Sequence, residues 1–247
     1  MTEVLIEVLF EDDDLLVVHK PAGLVCHPTK GDALSSLVSR LRLYRRDQPV
    51  FLINRLDRET SGVTLAAKSS AVAGELGRLF ESRAVHKRYQ ALVEGNVAAE
   101  RGEIDAPLGK ALDSPVAIQD AVCSEGAPAR TEFEVMGRFV RDGQPFSHLA
   151  VVPATGRKHQ IRIHLAHIGH PVVGDKIYGG DPTRYLRFVE GVLTPEDRAA
   201  LRLGNQALHA GELGFTWRER PWRFQSEPEA EFLDFLAGRG GSGVGFA

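Results

Sequence analysis

The sequence predicts an α+β protein built around a mixed, largely antiparallel sheet with flanking helices. Three observations predict it. Short apolar runs with strand-like alternation outnumber the helical ones. The two kinds interleave irregularly, without the strand–helix–strand rhythm of a parallel sheet. The 247 residues are 43% hydrophobic and 26% charged, an ordinary balance for a soluble globular chain with ample core.

Taken in order, Val4 to Phe10 and Leu15 to His19 read as two strands around the acidic turn Glu11-Asp12-Asp13-Asp14, and Lys20-Pro21-Ala22-Gly23 breaks the second. Ala33 to Leu43 has helical spacing. Val50 to Ile53 and Val63 to Ala67 read as half-buried strands on either side of a polar turn. Ala71 to Phe80 is helical, with Ser69 or Ser70 as its cap. Arg88 to Val93, Ala129 to Val135 and Ser147 to Val152 alternate or cluster apolar residues as strands do. Gly95 to Ala127 is a polar, Pro-containing excursion of hairpin type. Ile161, Leu165 and Ile168 recur at helical spacing until Gly169 and Pro171 end the helix. In the insertion from Asp181 to Asn205, Leu186 to Glu190 and Pro195 to Leu203 form short helices. One domain is expected over 1–236, followed by a disordered Gly-rich tail at 237–247.

Composition narrows the function. No apolar run approaches membrane-spanning length, and Met1-Thr2-Glu3 does not open a signal peptide. Cys26 and Cys123 lie far apart without metal-ligand spacing, so a reducing, cytoplasmic setting is expected, without a disulfide scaffold. The formal net charge is −3, yet positive charge is concentrated locally. Residues 40–58 hold six Arg against two Asp, while 78–88 and 155–176 each hold four basic residues against one acid. Such segregation suits a phosphate-bearing partner, although solvated helix faces explain Arg40 to Arg46 equally well.

Two stretches carry chemistry. In Asn54-Arg55-Leu56-Asp57-Arg58-Glu59-Thr60-Ser61-Gly62 a carboxylate is bracketed by two arginines on a turn at a sheet rim, where neighbouring guanidinium groups can hold it ionised. The alternative is a surface turn with local ion pairs. About a hundred residues later, Thr155-Gly156-Arg157-Lys158-His159-Gln160-Ile161-Arg162-Ile163-His164-Leu165 places Arg157, Lys158, His159 and Arg162 around the first turns of a helix, off its apolar stripe. A helix start rich in donors attracts anions, phosphates above all.

With these residues the chain resembles the RluA-type pseudouridine synthases, whose aspartate loop reads His-Arg-Leu-Asp-x-x-Thr-Ser-Gly. His86-Lys87-Arg88-Tyr89-Gln90-Ala91-Leu92-Val93-Glu94-Gly95 matches the family's lysine-x-tyrosine strand, Thr155 to Leu165 its helix, and Leu208-His209-Ala210 with Leu213 and Phe215 its late strand. The likeness runs from about Val4 to Phe224, and four ordered motifs are far more specific than one. Asn54 departs from the usual histidine; a local adjustment is expected there. The resemblance implies the pseudouridine synthase fold with a central catalytic cleft. It also implies absence of the accessory N-terminal RNA-binding domain, since the first strand begins within a few residues of Met1.

By this resemblance Asp57 is the catalytic carboxylate, Arg162 its ion-pair partner, and Tyr89 the ring that stacks on the target base and takes or relays a proton. Arg55 fills the place vacated by a flipped uridine. Leu208 walls the base pocket, with an ordinary buried leucine as the compatible alternative. Arg58, Thr60, Lys87, Arg88, Arg157, Lys158 and His159 complete the RNA contacts. The implied reaction, uridine to pseudouridine in tRNA or ribosomal RNA, needs no cofactor and no metal. Structured RNA is the expected partner of a monomer that requires no membrane and no obligate protein partner.

Three other readings compete. A metal site at His159, His164, His167 and His170 lacks the glutamate that an HExxH helix would carry, so these histidines read as helix-face or RNA-contact residues. A glycosidase needs a cooperating carboxylate, and Asp175, the only other acid in the motifs, sits in a Gly-Asp turn setting. A non-catalytic RNA-binding or RNA-folding protein on the same scaffold would have no need of Asp57.

Overall fold

The computed structural model describes residues 6–28 and 34–239. Along the chain these form β1 (Glu7–Glu11), β2 (Leu15–Lys20), α1 (Leu37–Tyr44), β3 (Phe51–Leu52), β4 (Ser61–Ala67) and α2 (Ser70–Glu81). There follow β5 (Val85–Glu94), β6 (Arg101–Asp105), β7 (Leu108–Lys110), β8 (Asp120–Val122), β9 (Arg130–Arg141), β10 (Gln144–Pro153) and α3 (Gln160–His167). The chain continues through α4 (Thr183–Val189), α5 (Pro195–Leu201), β11 (Leu208–Trp217), β12 (Arg220–Gln225) and α6 (Ala230–Leu236). The fold is α+β with a mixed, mostly antiparallel sheet. Within the single domain expected from the sequence, the chain packs as two compact units, 1–88 with 209–229 and 89–208 with 230–247.

In the first unit, β2 lies between β1 and β4, antiparallel to both. Its turn from β1 is set by Asp12, whose Oδ1 accepts from the backbone N–H of Asp14 (2.9 Å) and Leu15 (2.7 Å). The period of two along β2 then sorts side chains between two cores. Leu15 and Val17 join Val63, Leu65, Val72, Leu76, Phe215 and Phe224 on one face. Leu16 and Val18 join Leu37, Leu41, Val50 and Ala66 on the other. Helices cover both faces, so β4 is buried at every position, where the sequence suggested a half-buried strand. Helix α1 begins later than its spacing suggested, because the Ser36 hydroxyl accepts from Ser39 N–H and caps it there. Ser69 caps α2 in the same way through Val72 N–H.

In the second unit, β10 pairs antiparallel with both β5 and β9, and β9 pairs with β6. Strands β9 and β10 run well beyond their apolar segments, to a tight turn at Asp142-Gly143 where both residues have positive φ (50° and 73°). The excursion from Gly95 contributes β6 to this sheet, so only its β7–β8 part is a separate hairpin. Leu92, Val93, Phe146, Leu149, Ile161, Leu165, Phe232 and Phe235 form the core. Helix α5 starts with a capping box between Thr194 and Asp197, and Arg187 of α4 clamps Asp197. Cys26 and Cys123 are free thiols. Among the described residues no helix is long and apolar enough to cross a membrane. Residues 240–247 of the expected tail, and the start of the first expected strand at Val4 and Leu5, lie outside the described residues.

Candidate functional site

Asp57 sits between β3 and β4 on a segment whose backbone is tied down on both sides. Before it, Leu56 N–H donates to the Cys26 sulfur and the Cys26 thiol donates to Leu56 C=O, both at 3.4 Å. After it, the Lys20 ammonium donates to Arg58 C=O at 3.0 Å, and Arg58 Nε donates to Gly23 C=O at 3.1 Å. Lys20 is wholly buried, and its other two donors go to the carbonyls of Pro21 and Leu24, each at 2.8 Å. Three carbonyls match the three donors of an ammonium, which is how a cation survives there. Burial still pulls its pKa down to about 8. Segment 20–26 is thus a bracket beneath Leu56 to Arg58, and Thr60 N–H closes the turn onto Asp57 C=O at 3.2 Å.

Asn54 explains its own departure from the histidine pattern. Its Nδ2 donates to Val63 C=O (3.2 Å) and its Oδ1 accepts from Leu65 N–H (2.7 Å). The side-chain amide acts as one more rung of the ladder after β3 ends, a role for which an amide is well suited because it carries a donor and an acceptor side by side.

Ser61 and Gly62 fix the exit of the loop. They pair in parallel with His209 and Ala210 of β11. Gly62 has φ +120°, and a Cβ there would lie 2.3 Å from Ala210 O, so only glycine fits. Ser61 Oγ is 2.9 Å from His209 Nδ1, and His209 Nε2 is 2.9 Å from Ser226 C=O. A carbonyl can only accept, so His209 carries its proton on Nε2 and the Ser61 hydroxyl donates to Nδ1. Burial holds the ring neutral by lowering its pKa to about 4. His19 stacks on it at 5.7 Å and bonds Ser226 Oγ at 2.8 Å.

The other predicted residues of this unit are Arg55, exposed before the carboxylate, buried Thr60, and Lys87 and Arg88 at the start of β5. The Lys87 ammonium lies 4.9 Å from the centre of the Phe80 ring, and burial lowers its pKa.

Tyr89, Arg157, Lys158, His159, Arg162 and Leu208 belong to the second unit. Tyr89 lies opposite Val151 of β10, at the margin of the core that contains Leu208. Arg162 corrects the sequence reading, which placed it off the apolar stripe at an anion-attracting helix start. It is only 5% exposed, and its Nε and Nη2 grip the two oxygens of Asp175 at 2.6 and 2.8 Å. Asp175 also accepts from Ile177 N–H and Tyr178 N–H, so it is both the expected turn residue and a buried counter-ion. The guanidinium lowers its pKa against the opposing effect of burial. The Tyr178 ring lies 5.0 Å from the guanidinium, and its hydroxyl bonds His159 Nδ1 at 3.0 Å and accepts from Asp120 N–H at 3.3 Å.

The helix start itself is organised by protein groups. Gln160 takes an N–H bond from Arg157 and reaches Arg130 C=O, Arg157 Nε donates to Pro128 C=O, and Lys158 pairs with Asp120 at 2.8 Å. His159 precedes the helix in a left-handed conformation (φ 54°) and offers no cap through its side chain. His164 is fully buried rather than a helix-face residue, bonding Thr131 Oγ1 and Ala106 C=O, while His170 bonds Glu94 C=O. The sequence reading missed Lys20, Cys26, Ser61 and His209 as supports of the loop, and Asp175 as partner to Arg162. The break at Lys20-Pro21-Ala22-Gly23, directly after an apolar strand, was the available signal for the first of these.

A family model described as RNA pseudouridylate synthase matches residues 14–167. The dual-specificity RNA pseudouridine synthase RluA of Vibrio vulnificus (strain CMCP6) is 36% identical over 220 residues, which is 87% of this chain and 80% of that protein. Ribosomal large subunit pseudouridine synthase D of Nitrosomonas europaea is 36% identical over 219 residues. That alignment takes in 85% of this chain but spans only 58% of the relative's length. Among solved structures, human RNA pseudouridylate synthase domain containing 1 superposes with a TM-score of 0.72 at 26% identity, covering 92% of this chain and 86% of that one.

Proposed function

Because the chain belongs to the RNA pseudouridylate synthase family, with an RluA-type enzyme among its relatives, we propose that it isomerises specific uridines to pseudouridine in structured RNA. Asp57 is the catalytic carboxylate. The observation that supports this reading is the bonding of Leu56 and Arg58 to the Lys20–Cys26 bracket, which ties down the backbone on either side of Asp57 on an arginine-bearing loop. Fixed placement of a reacting group is what lowers the entropic part of a barrier.

The reaction breaks the N1–C1′ bond of uridine, turns the base, joins C5 to C1′, and returns the C5 proton to solvent as N1 gains one. No electron is gained or lost. Asp57 serves as nucleophile or base in this sequence. Arg162, its orientation set by Asp175, is the ion-pair partner of the catalytic carboxylate, and Tyr89 stacks on the base and takes or relays a proton. The target base is extruded at a cost of a few kcal/mol, with Arg55 filling the vacated stack. Lys87, Arg88, Arg157, Lys158, Arg58 and His159 contact the RNA backbone, Thr60 shapes the loop, and Leu208 walls the base. The substrate is tRNA or ribosomal RNA.

Tritium release from RNA labelled at uridine C5 tests this directly, using transcribed tRNA and ribosomal RNA fragments. The wild-type protein is expected to release tritium from a defined fraction of uridines. Asp57→Asn is expected to release none while binding RNA within a few-fold. Turnover by that variant near the wild-type rate would remove Asp57 from the mechanism. RNA binding without release by wild type would favour a binding protein instead.

A further inference from the structure

We propose that the exposed face of α1 and the turn after it form a second RNA-docking surface, made by Arg42, Arg45, Arg46 and the Tyr44 ring. The proposal rests on RNA being the substrate, and it concerns residues outside those assigned to the target uridine. Arg42 and Arg46 are exposed, and among the described residues no carboxylate lies within ion-pair distance of Arg42, Arg45 or Arg46. Several exposed arginines elsewhere are paired, Arg101 with Glu134, Arg138 with Glu100, Arg218 with Glu75 and Arg223 with Glu212, while Arg55, Arg83 and Arg220 likewise have no ion pair among the described residues; on α1 and its turn Arg42, Arg45 and Arg46 fall within one short stretch. Glu11, whose pKa Arg45 helps to lower, is already engaged by Lys68 at 2.6 Å and by the Tyr44 hydroxyl at 2.7 Å. Asp47, next in the turn, makes no ion pair among the described residues.

Three further observations point to a ligand. Arg45 Nη2 is held by Gln48 at 2.8 Å, which orients the guanidinium on the turn. Arg46 and Asp47 both adopt left-handed φ (52° and 61°), a conformation that non-glycine residues rarely take and that is retained where it serves a purpose. Complementing the helix C-terminus would call for a basic residue in the last turn, but not for this strained continuation. Finally, Tyr44 is 40% exposed and Phe51 38% exposed, on elements that share the core of Leu41, Val50 and Leu52. Exposed guanidinium groups and part-exposed aromatic rings on neighbouring elements suit phosphates and unstacked bases, and they suit RNA better than an acidic protein or a lipid surface.

The test is equilibrium binding of a transcribed tRNA at several salt concentrations, with the double variant Arg42→Ala/Arg46→Ala. The salt slope of log affinity is expected to become less negative by about 1.8 if both contacts are to phosphates. Arg42→Lys/Arg46→Lys should restore most of it, because charge is retained. Arg101→Ala/Arg138→Ala, which removes paired arginines, should leave the slope unchanged. An unchanged slope in the first variant, with a thermal melt matching wild type, would overturn the proposal. So would an equal change in the paired-arginine control. Binding is read without turnover, so failure of the isomerase reading would appear separately, in the tritium assay.

Discussion

Arg162 and Asp175 carry opposite charges where little water reaches either. Two such charges are tolerable because the pairing is bidentate and the carboxylate also takes two backbone N–H bonds. Removing one member strands the other. Asp175→Asn is therefore expected to cost about 3 kcal/mol of stability by urea unfolding. It should also lower kcat more than it raises KM, since Arg162 loses its orientation; an unchanged kcat would reduce Asp175 to a structural role. His209 gives a pH prediction. Its pKa falls from an ordinary 6.5 to about 4 on folding, so the unfolded chain binds the extra proton first. The stabilisation is complete above pH 6.5 and is lost as pH falls towards 4, by about 3 kcal/mol over that window. Urea midpoints across pH 4–7 should fall less steeply for His209→Gln than for wild type. Equal slopes would contradict the assignment. At this scale the motif residues Asp57 and Arg162 were legible in the sequence as types in a pattern. Asp175 was legible only as a turn, since nothing in a Gly-Asp pair reveals a partner 13 residues upstream.

Between β4 and β11 the parallel pairing brings Gly62 against Ala210 so closely that any side chain collides with the backbone. Gly62→Ala is expected to destabilise by at least about 2 kcal/mol and to reduce turnover, because the shift propagates into the loop that ends at Ser61. Thermal melting within a degree of wild type would show that the close approach is not required. Periodicity identified most elements here, including β2 and α2, for which Ser69 was one of two candidate caps. It faltered where local polarity hid the pattern. The outer half of β9 carries Gly137, Arg138 and Arg141, and that of β10 carries Gln144, Pro145, Ser147 and His148, so the Asp142-Gly143 turn is the clearer signal of the long hairpin. Helix α3 shows the opposite difficulty. Polar Gln160, Arg162 and His164 are all buried there, satisfied by partners distant in sequence that no hydrophobic stripe can announce.

For the whole molecule, the net charge of −3 says little, because acids and bases are unevenly distributed and many surface arginines are neutralised by neighbours. Exposed arginines without an ion pair among the described residues occur at Arg55, Arg83 and Arg220 as well as on α1 and its following turn, a distribution that suits a partner rich in phosphate. The α+β class was legible from short apolar runs interleaved irregularly with a few helical ones. The division into two compact units was not, because two of its boundaries fall inside strands, between Arg88 and Tyr89 of β5 and between Leu208 and His209 of β11, where no linker signal occurs. The central claim is that this chain isomerises uridine through Asp57. It is tested most directly by a pseudouridine map of total tRNA and ribosomal RNA from cells lacking the gene, complemented with wild type or with Asp57→Asn. The account predicts at least one modified position that disappears with the gene and returns only with wild type. An identical map in all strains, or restoration by Asp57→Asn, would contradict it.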